Sequence, residues 1–312
     1  MREVGLSLIP VSLVLGVVVF SGRCGNPDRA SSSTQAEYTG LPCYNPDGFE
    51  RMGPVQPGDW LDRFPEDGQT FLQYRKSNPP RARGDRKILV LQPLGPFTRE
   101  EKAVVKKAAA FARLYFQCPV RINRPAPLPP RGRRTRRSGD GRVIHQYQTR
   151  WIFQGQLFPR LPEDAVAFLG VTMQDIYPSA QWNYVFGEAF LEDRVGVYSL
   201  ARYFPEFRGE KNTPEARRLA LVRTFKVLAH ETAHMFGLQH CIAYRCVVNG
   251  SNSLEESDRQ PLHLCPVDLK KLQWNLGFDL TKRYRELHAF YLKHALKEEA
   301  DFVADRLKRG GR

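Results

Sequence analysis

The 312-residue chain has no internal repeat, so a solenoid or propeller architecture is not expected. It also lacks a long unbroken apolar run. Its longest uncharged stretch, VGLSLIPVSLVLGVVVF (4–20), is short and interrupted by Pro10, which argues against a stable membrane span. Acid is scarce: 33 aspartates and glutamates face 47 lysines and arginines, leaving a formal charge of +14. Histidine is scarcer, with seven in all. His288 and His294 stand six apart, on different faces of a helix, and His145 and His263 have no partner at ligand spacing. A histidine metal site must therefore be built from His230, His234 and His240.

Those three stand in HETAHMFGLQH (230–240). Residues four apart share a helix face, so His230 and His234 can offer two imidazoles to one ion. Glu231 sits where its carboxylate can act on water instead of binding metal, the H-E-x-x-H arrangement of zinc proteases. Gly237 allows a left-handed exit from the helix, and the turn returns His240 as third ligand. Three nitrogen ligands leave a tetrahedral zinc ion one open position, as in catalytic sites. The full H-E-x-x-H-x-x-G-x-x-H pattern is the metzincin form.

Directly after His240 come Cys241 and Cys246, and later Cys265 in CPVD (265–268). The whole closely resembles the archaemetzincins, whose signature runs H-E-x-x-H-x-x-G-x-x-H-C-x4-C-x-M and later C-x-x-C. The segments GPVQPGDWLDRFPEDGQTF, ILVLQPLG, VAFLGVTMQDIYP and WNYVFGEAFLEDRVGVYSLARYF are also similar to that family, so the likeness covers about residues 45–290. The resemblance implies an α/β (α+β) metzincin-like zinc protease domain: a mixed twisted sheet, an active-site helix and a C-terminal lower subdomain. It implies a catalytic zinc on His230, His234 and His240, Glu231 as general base, and peptide or protein substrates. It also implies a second, structural zinc at the cysteines. Two positions depart from the family. Val248 stands where the signature has methionine, and Asp268 where it has the last cysteine. Cys241, Cys246, Cys265 and Asp268 are then a candidate second zinc site, with a disulfide between two of the cysteines as the alternative in an oxidising compartment.

Along the chain, residues 1–21 read as a secretory signal, which would make the protein exported, either secreted or periplasmic. Residues 22–44 read as a disordered linker, and 45–312 as the protease domain. Arg23 before Cys24 is a poor fit to a lipoprotein signal. Leu41–Asp85 reads as irregular chain with little chemistry. Lys87–Leu91, a helix from the Thr98/Glu101 capping box to Phe116, and Pro119–Ile122 suggest a strand–helix–strand crossover. The basic stretch 124–142 holds Arg131, Arg133, Arg134, Arg136, Arg137 and Arg142, and is expected to be a solvated loop. Without interleaved aromatics for base stacking, nucleic acid is not the expected partner. Ala165–Val171 and Val195–Ala201 read as strands, and WNYVFGEAFLEDRVGVYS (182–199) as the substrate-holding sheet edge. Thr213 and Pro214 should open a helix to about Phe236, buried on most sides through Leu219, Val222, Leu228 and Met235. Thr281–Arg309 reads as one amphipathic helix. Glu255 and Glu256 are given no role beyond pairing with Arg245 or Arg259. The competing functional class is a catalytically degenerate zinc protein that holds peptides in its cleft or anionic partners on its arginines.

Overall fold

The computed structural model describes residues 46–138 and 141–310. The expected signal (1–21) and the whole of the expected linker (22–44), with Cys24 and Cys43, lie outside the described residues. The first helices among the described residues are two short ones, α1 (Trp60–Arg63) and α2 (Phe71–Lys76), the second opened by a Thr70/Gln73 capping box. Strand β1 (Ile88–Leu94), helix α3 (Arg99–Phe116) and strand β2 (Val120–Ile122) follow, with the expected Thr98/Glu101 capping box at the start of α3. β1 and β2 pair in parallel, as a crossover through a helix requires.

Beyond β2 come β3 (Arg133–Arg137), β4 (Val143–Gln148), the short helix α4 (Thr149–Ile152), β5 (Ala165–Thr172), β6 (Asp175–Tyr177), β7 (Gly187–Ala189) and β8 (Val195–Ser199). The main sheet has the order β2-β1-β5-β8-β7, parallel except for β7, which pairs antiparallel with β8 at the edge. Of the 182–199 segment only β7 is the sheet edge; β8 lies inside the sheet between β5 and β7. Every residue of β5 is buried, as expected of a central strand covered on both faces. A cluster including Val90, Leu94, Phe153, Phe168 and Val195 fills one part of the core.

The arginine-rich stretch is not a loop. β3 pairs antiparallel with β4, and β4 pairs in parallel with β6, making a second sheet of order β3-β4-β6. Exposure alternates along β3, so Arg134 and Arg136 turn to one face while Arg133, Thr135 and Arg137 stay exposed. Inward packing is supplied by the long side chains: the Arg134 guanidinium lies 3.5 Å from the Tyr177 ring centroid.

The remaining elements are helical: α5 (Pro205–Arg208), α6 (Pro214–Met235), α7 (Leu254–Arg259), α8 (Pro266–Leu276), α9 (Leu280–Lys293) and α10 (Lys297–Gly310). α6 is capped by Thr213, which accepts from Ala216 N, and Pro214 fills its first turn. Its burial is confined to the later turns, since Leu219 is 40% exposed. Phe111 of α3 stacks on Phe225 of α6 at 4.6 Å, joining the two helices. The expected single helix over 281–309 is two. Ala295 adopts a left-handed φ of 54°, and Leu296 N closes back on Tyr291 O, so the chain turns at a residue that usually extends helices.

Candidate metal centre

His230 and His234 lie on the last turns of α6, and the chain leaves that helix at Gly237 with φ 82°. A side chain there would also meet Pro79, whose Cβ lies 2.7 Å from the position a Cβ would take. The turn places His240 against the helix pair: ring centroids are 4.5 Å apart for His230/His234, 4.9 Å for His234/His240 and 5.3 Å for His230/His240. One nitrogen of each ring falls within 4.8 Å of the others.

The opposite nitrogens are all occupied. His230 Nδ1 donates to Val247 O at 2.9 Å, His234 Nδ1 to Leu238 O at 2.6 Å, and His240 Nδ1 faces both oxygens of Glu66 at 2.9 and 3.0 Å. Acceptors on Nδ1 fix the tautomer and leave each Nε2 lone pair for a metal, the outer-shell arrangement of histidine zinc sites. Burial pushes His234 down to about 3 and His230 well below its usual range, so both rings are neutral, as ligands must be. The donor set fits zinc.

Glu66 lies in the segment that its sequence marked as chemically quiet. Burial raises its carboxyl, but the hydrogen bonds from His240 and Trp60 help to outweigh burial and hold it below the usual range. Trp60 Nε1 donates to Glu66 Oε1 at 2.8 Å, and the Trp60 ring stands edge-on to His240 at 5.2 Å. Glu256, expected only to pair with arginine, takes Trp60 N at 2.9 Å and Asn252 N at 2.6 Å. It anchors the residue that anchors Glu66. Neighbouring Glu255 approaches Arg259 at 4.0 Å, as anticipated.

Glu231 is 5% exposed and faces the edge strand. A Cβ at Gly187 would collide with the Glu231 carboxylate, so the strand can approach only because position 187 has no side chain. Burial pushes the Glu231 carboxyl well up, and the Glu188 carboxylate adds to the shift.

The structure also brings Cys241, Cys246, Cys265 and Asp268 together, all buried and with ligand atoms within 4.8 Å of one another. The three cysteines are free thiols. Cys241 Sγ lies 3.6 Å from Cys265 Sγ, and Asp268 Oδ2 lies 3.3 Å from both Cys246 Sγ and Cys265 Sγ. Hydrogen bonds from Cys246 and Cys265 hold Cys241 well below the usual thiol range, while burial pushes those two up. Cys265 caps α8, its sulfur accepting from Asp268 N at 3.4 Å, which sets the carboxylate one turn into the helix. Asp268 Oδ1 is held by Lys271 Nζ at 2.8 Å, and both side chains are almost fully buried. Val248 is fully buried, and its carbonyl accepts from Cys241 N at 3.1 Å.

The family model described as Peptidase family M54 matches residues 163–274. Archaemetzincin-2 of Homo sapiens is 35% identical over 274 residues, 76% of this chain and 73% of the relative. The chain belongs to the archaemetzincin family. Archaemetzincin-1 of Mus musculus is 37% identical over 154 residues, 41% of this chain and 31% of that protein. Among solved structures, the archaemetzincin of Methanopyrus kandleri is 29% identical, covers 63% of this chain and 98% of its own, and has a TM-score of 0.49. Archaemetzincins are zinc metallopeptidases, and the class of this chain follows: it is a hydrolase with a peptidase fold.

Proposed function

We propose that this archaemetzincin cleaves peptide bonds with Glu231 as general base beside a zinc ion held by Nε2 of His230, His234 and His240. The convergence of three imidazoles whose Nδ1 atoms are all engaged elsewhere carries the reading. Zinc, when bound, supplies the Lewis acidity that makes water a competent nucleophile near neutral pH and polarises a carbonyl. Glu231 takes the proton of the attacking water on its carboxylate and returns it to the leaving amine. Its burial keeps bulk water from competing for that proton. β7 is the edge of the main sheet, so its outer side can hold an extended substrate by strand addition. Gly187 then leaves room for the carboxylate to work beside that strand.

The cysteine cluster is proposed to hold a second zinc. Three thiolates and a carboxylate oxygen are an allowed donor set, and the four ligand atoms already lie within 4.8 Å of one another.

Purified protein should hydrolyse peptides, and Glu231→Ala should lower turnover by at least ~10²-fold while zinc content and fold persist. Undiminished turnover in that variant would sink the assignment.

A further inference from the structure

Arg134 and Arg136 bring two guanidinium groups onto one backbone oxygen. Arg134 Nη2 donates to Trp182 O at 2.7 Å and Asn183 O at 3.1 Å, and Arg136 Nη1 donates to Asn183 O at 2.9 Å. Neither has an ion pair among the described residues. Arg134 Nε goes to Gln146 Oε1 at 2.8 Å. Asp175, which Gln146 also contacts, has its two oxygens taken by Arg202 at 2.7 Å each. Two adjacent cations whose hydrogen bonds all go to neutral carbonyl oxygens repel each other; the Tyr177 ring under Arg134 offsets this only in part, and an anion would relieve it further. Burial and the charge of Arg136 both press the Arg134 guanidinium below its ordinary range. Arg133 and Arg137 continue the positive line along β3, the edge strand of its sheet.

The position of this pair can be bounded along one segment. Asn183 stands four residues before Gly187, the residue that meets the Glu231 carboxylate. Four residues span at most ~14 Å. A peptide extended along β7 advances about 3.3 Å per residue. That bound places Asn183 and the two guanidiniums within reach of the peptide's fourth or fifth residue from the scissile bond. The cleft wall is continuous over that distance: Trp60 beside His240 packs on Phe64 at 4.6 Å, and Phe64 stacks on Trp182 at 5.6 Å.

We propose that Arg134 and Arg136 form a subsite for acidic side chains, which makes peptides with Asp or Glu four or five residues from the cleaved bond the preferred substrates. This rests on reading the histidine site as a peptidase centre. The guanidinium fork matches a carboxylate in two-point fashion, and Arg136 keeps unused N–H donors for it. Nucleic acid fits less well. The nearby rings that could stack bases are already covered, Tyr177 by Arg134 and Trp151 by Arg131 at 4.1 Å.

The test is fluorescence anisotropy on the full-length, zinc-loaded Glu231→Gln protein, with labelled dodecapeptides acetylated and amidated at their ends. A glutamate pair, or a glutamine pair, is placed four and five residues to one side or the other of the central bond. Glutamate on one side should bind ~10-fold tighter at low salt, the worth of a charge-assisted pair of hydrogen bonds. Arg136→Gln, a partly exposed position, and the Arg134→Gln/Arg136→Gln pair should each remove most of that preference, whereas Arg309→Gln should keep it. Equal binding of glutamate and glutamine peptides on both sides, or a preference that survives Arg136→Gln and the double variant, would overturn the proposal. So would stronger Arg136-dependent binding of a single-stranded oligonucleotide, or of an unamidated alanine peptide offering only its terminal carboxylate. Turnover is measured separately on the wild type. Failure to cleave any peptide counts against the peptidase reading, while the binding data decide the subsite.

Discussion

Glu66 holds His240 with both carboxylate oxygens, 2.9 and 3.0 Å from Nδ1, across 174 positions of sequence. The other two histidines of the site rest on backbone carbonyls, which substitution cannot remove. His240, beyond the helix, depends on this one side chain for its orientation.

Glu66→Ala should therefore weaken the catalytic zinc by about 10–100-fold, the usual effect of removing an outer-shell partner of a ligating histidine. Glu66→Gln should do less harm, because an amide oxygen still accepts from Nδ1 without the charge. Zinc affinity measured by competition with a chromophoric chelator checks both, and an unchanged affinity in Glu66→Ala would show that the turn alone positions His240.

The part of the site carried by local spacing was legible in the sequence. Helical periodicity pairs His230 with His234, Gly237 announces the turn, and Thr213 with Pro214 marks where α6 begins. The crossover of β1, α3 and β2 was readable for the same reason, from a capping box and two short apolar runs. Glu66 was not readable, because its role depends on packing between distant segments and no periodicity reports that. The Arg133–Arg137 strand was hidden by composition. Arginine is a poor advertisement for a strand, and this one is stabilised by Arg134 lying over Tyr177 and reaching the carbonyls of 182 and 183. The break at Ala295 was missed because alanine seldom takes a left-handed conformation and gives no warning of one.

Gly187→Ala should separate structure from chemistry. The added methyl would occupy the space of the Glu231 carboxylate, so either β7 withdraws or the carboxylate turns away. Turnover is expected to fall at least ~10-fold, since a displacement near 1 Å at a reacting group costs that much or more. The zinc count and the circular dichroism spectrum should stay at wild type. Full activity in this variant would mean that Glu231 is not held against the strand during catalysis.

Val248→Met restores the side chain that the family signature carries at this position. Val248 is already fully buried in a closed setting, so extra atoms must displace neighbours, at a cost of about 1–3 kcal/mol. For a domain of this size that corresponds to a melting temperature lower by roughly 2–4 °C per kcal/mol. Differential scanning calorimetry reads the result. A higher melting temperature would indicate that the valine leaves a void which methionine fills.

The two candidate metal sites should empty by different routes. The histidine ligands are only partly buried, and the catalytic ion must meet water to act. In the other cluster, Cys246, Cys265 and Asp268 are at most 1% exposed, and the chain segments that carry them join the loop after His240 to helix α8. A chelator should remove one zinc quickly with little change in fold, and a second slowly with loss of cooperative unfolding. Lys271 sharpens this expectation. Its ammonium group is buried, with Asp268 Oδ1 as its one hydrogen-bond partner among the described residues, so Lys271→Met leaves that buried oxygen without its cation, a loss of about 3–5 kcal/mol for breaking a buried pair. The slow zinc should then leave quickly, with the melting temperature falling in parallel. Asp268→Cys should hold that ion more tightly, because a thiolate replaces a carboxylate oxygen. In that background Lys271→Met should cost less, since the carboxylate oxygen that accepts its hydrogen bond is gone. Native mass spectrometry counts the ions, and alkylation maps Cys241, Cys246 and Cys265. One zinc per chain with those three thiols freely alkylated would reject a second metal site, and additive losses in the double variant would show that Lys271 does not act through Asp268.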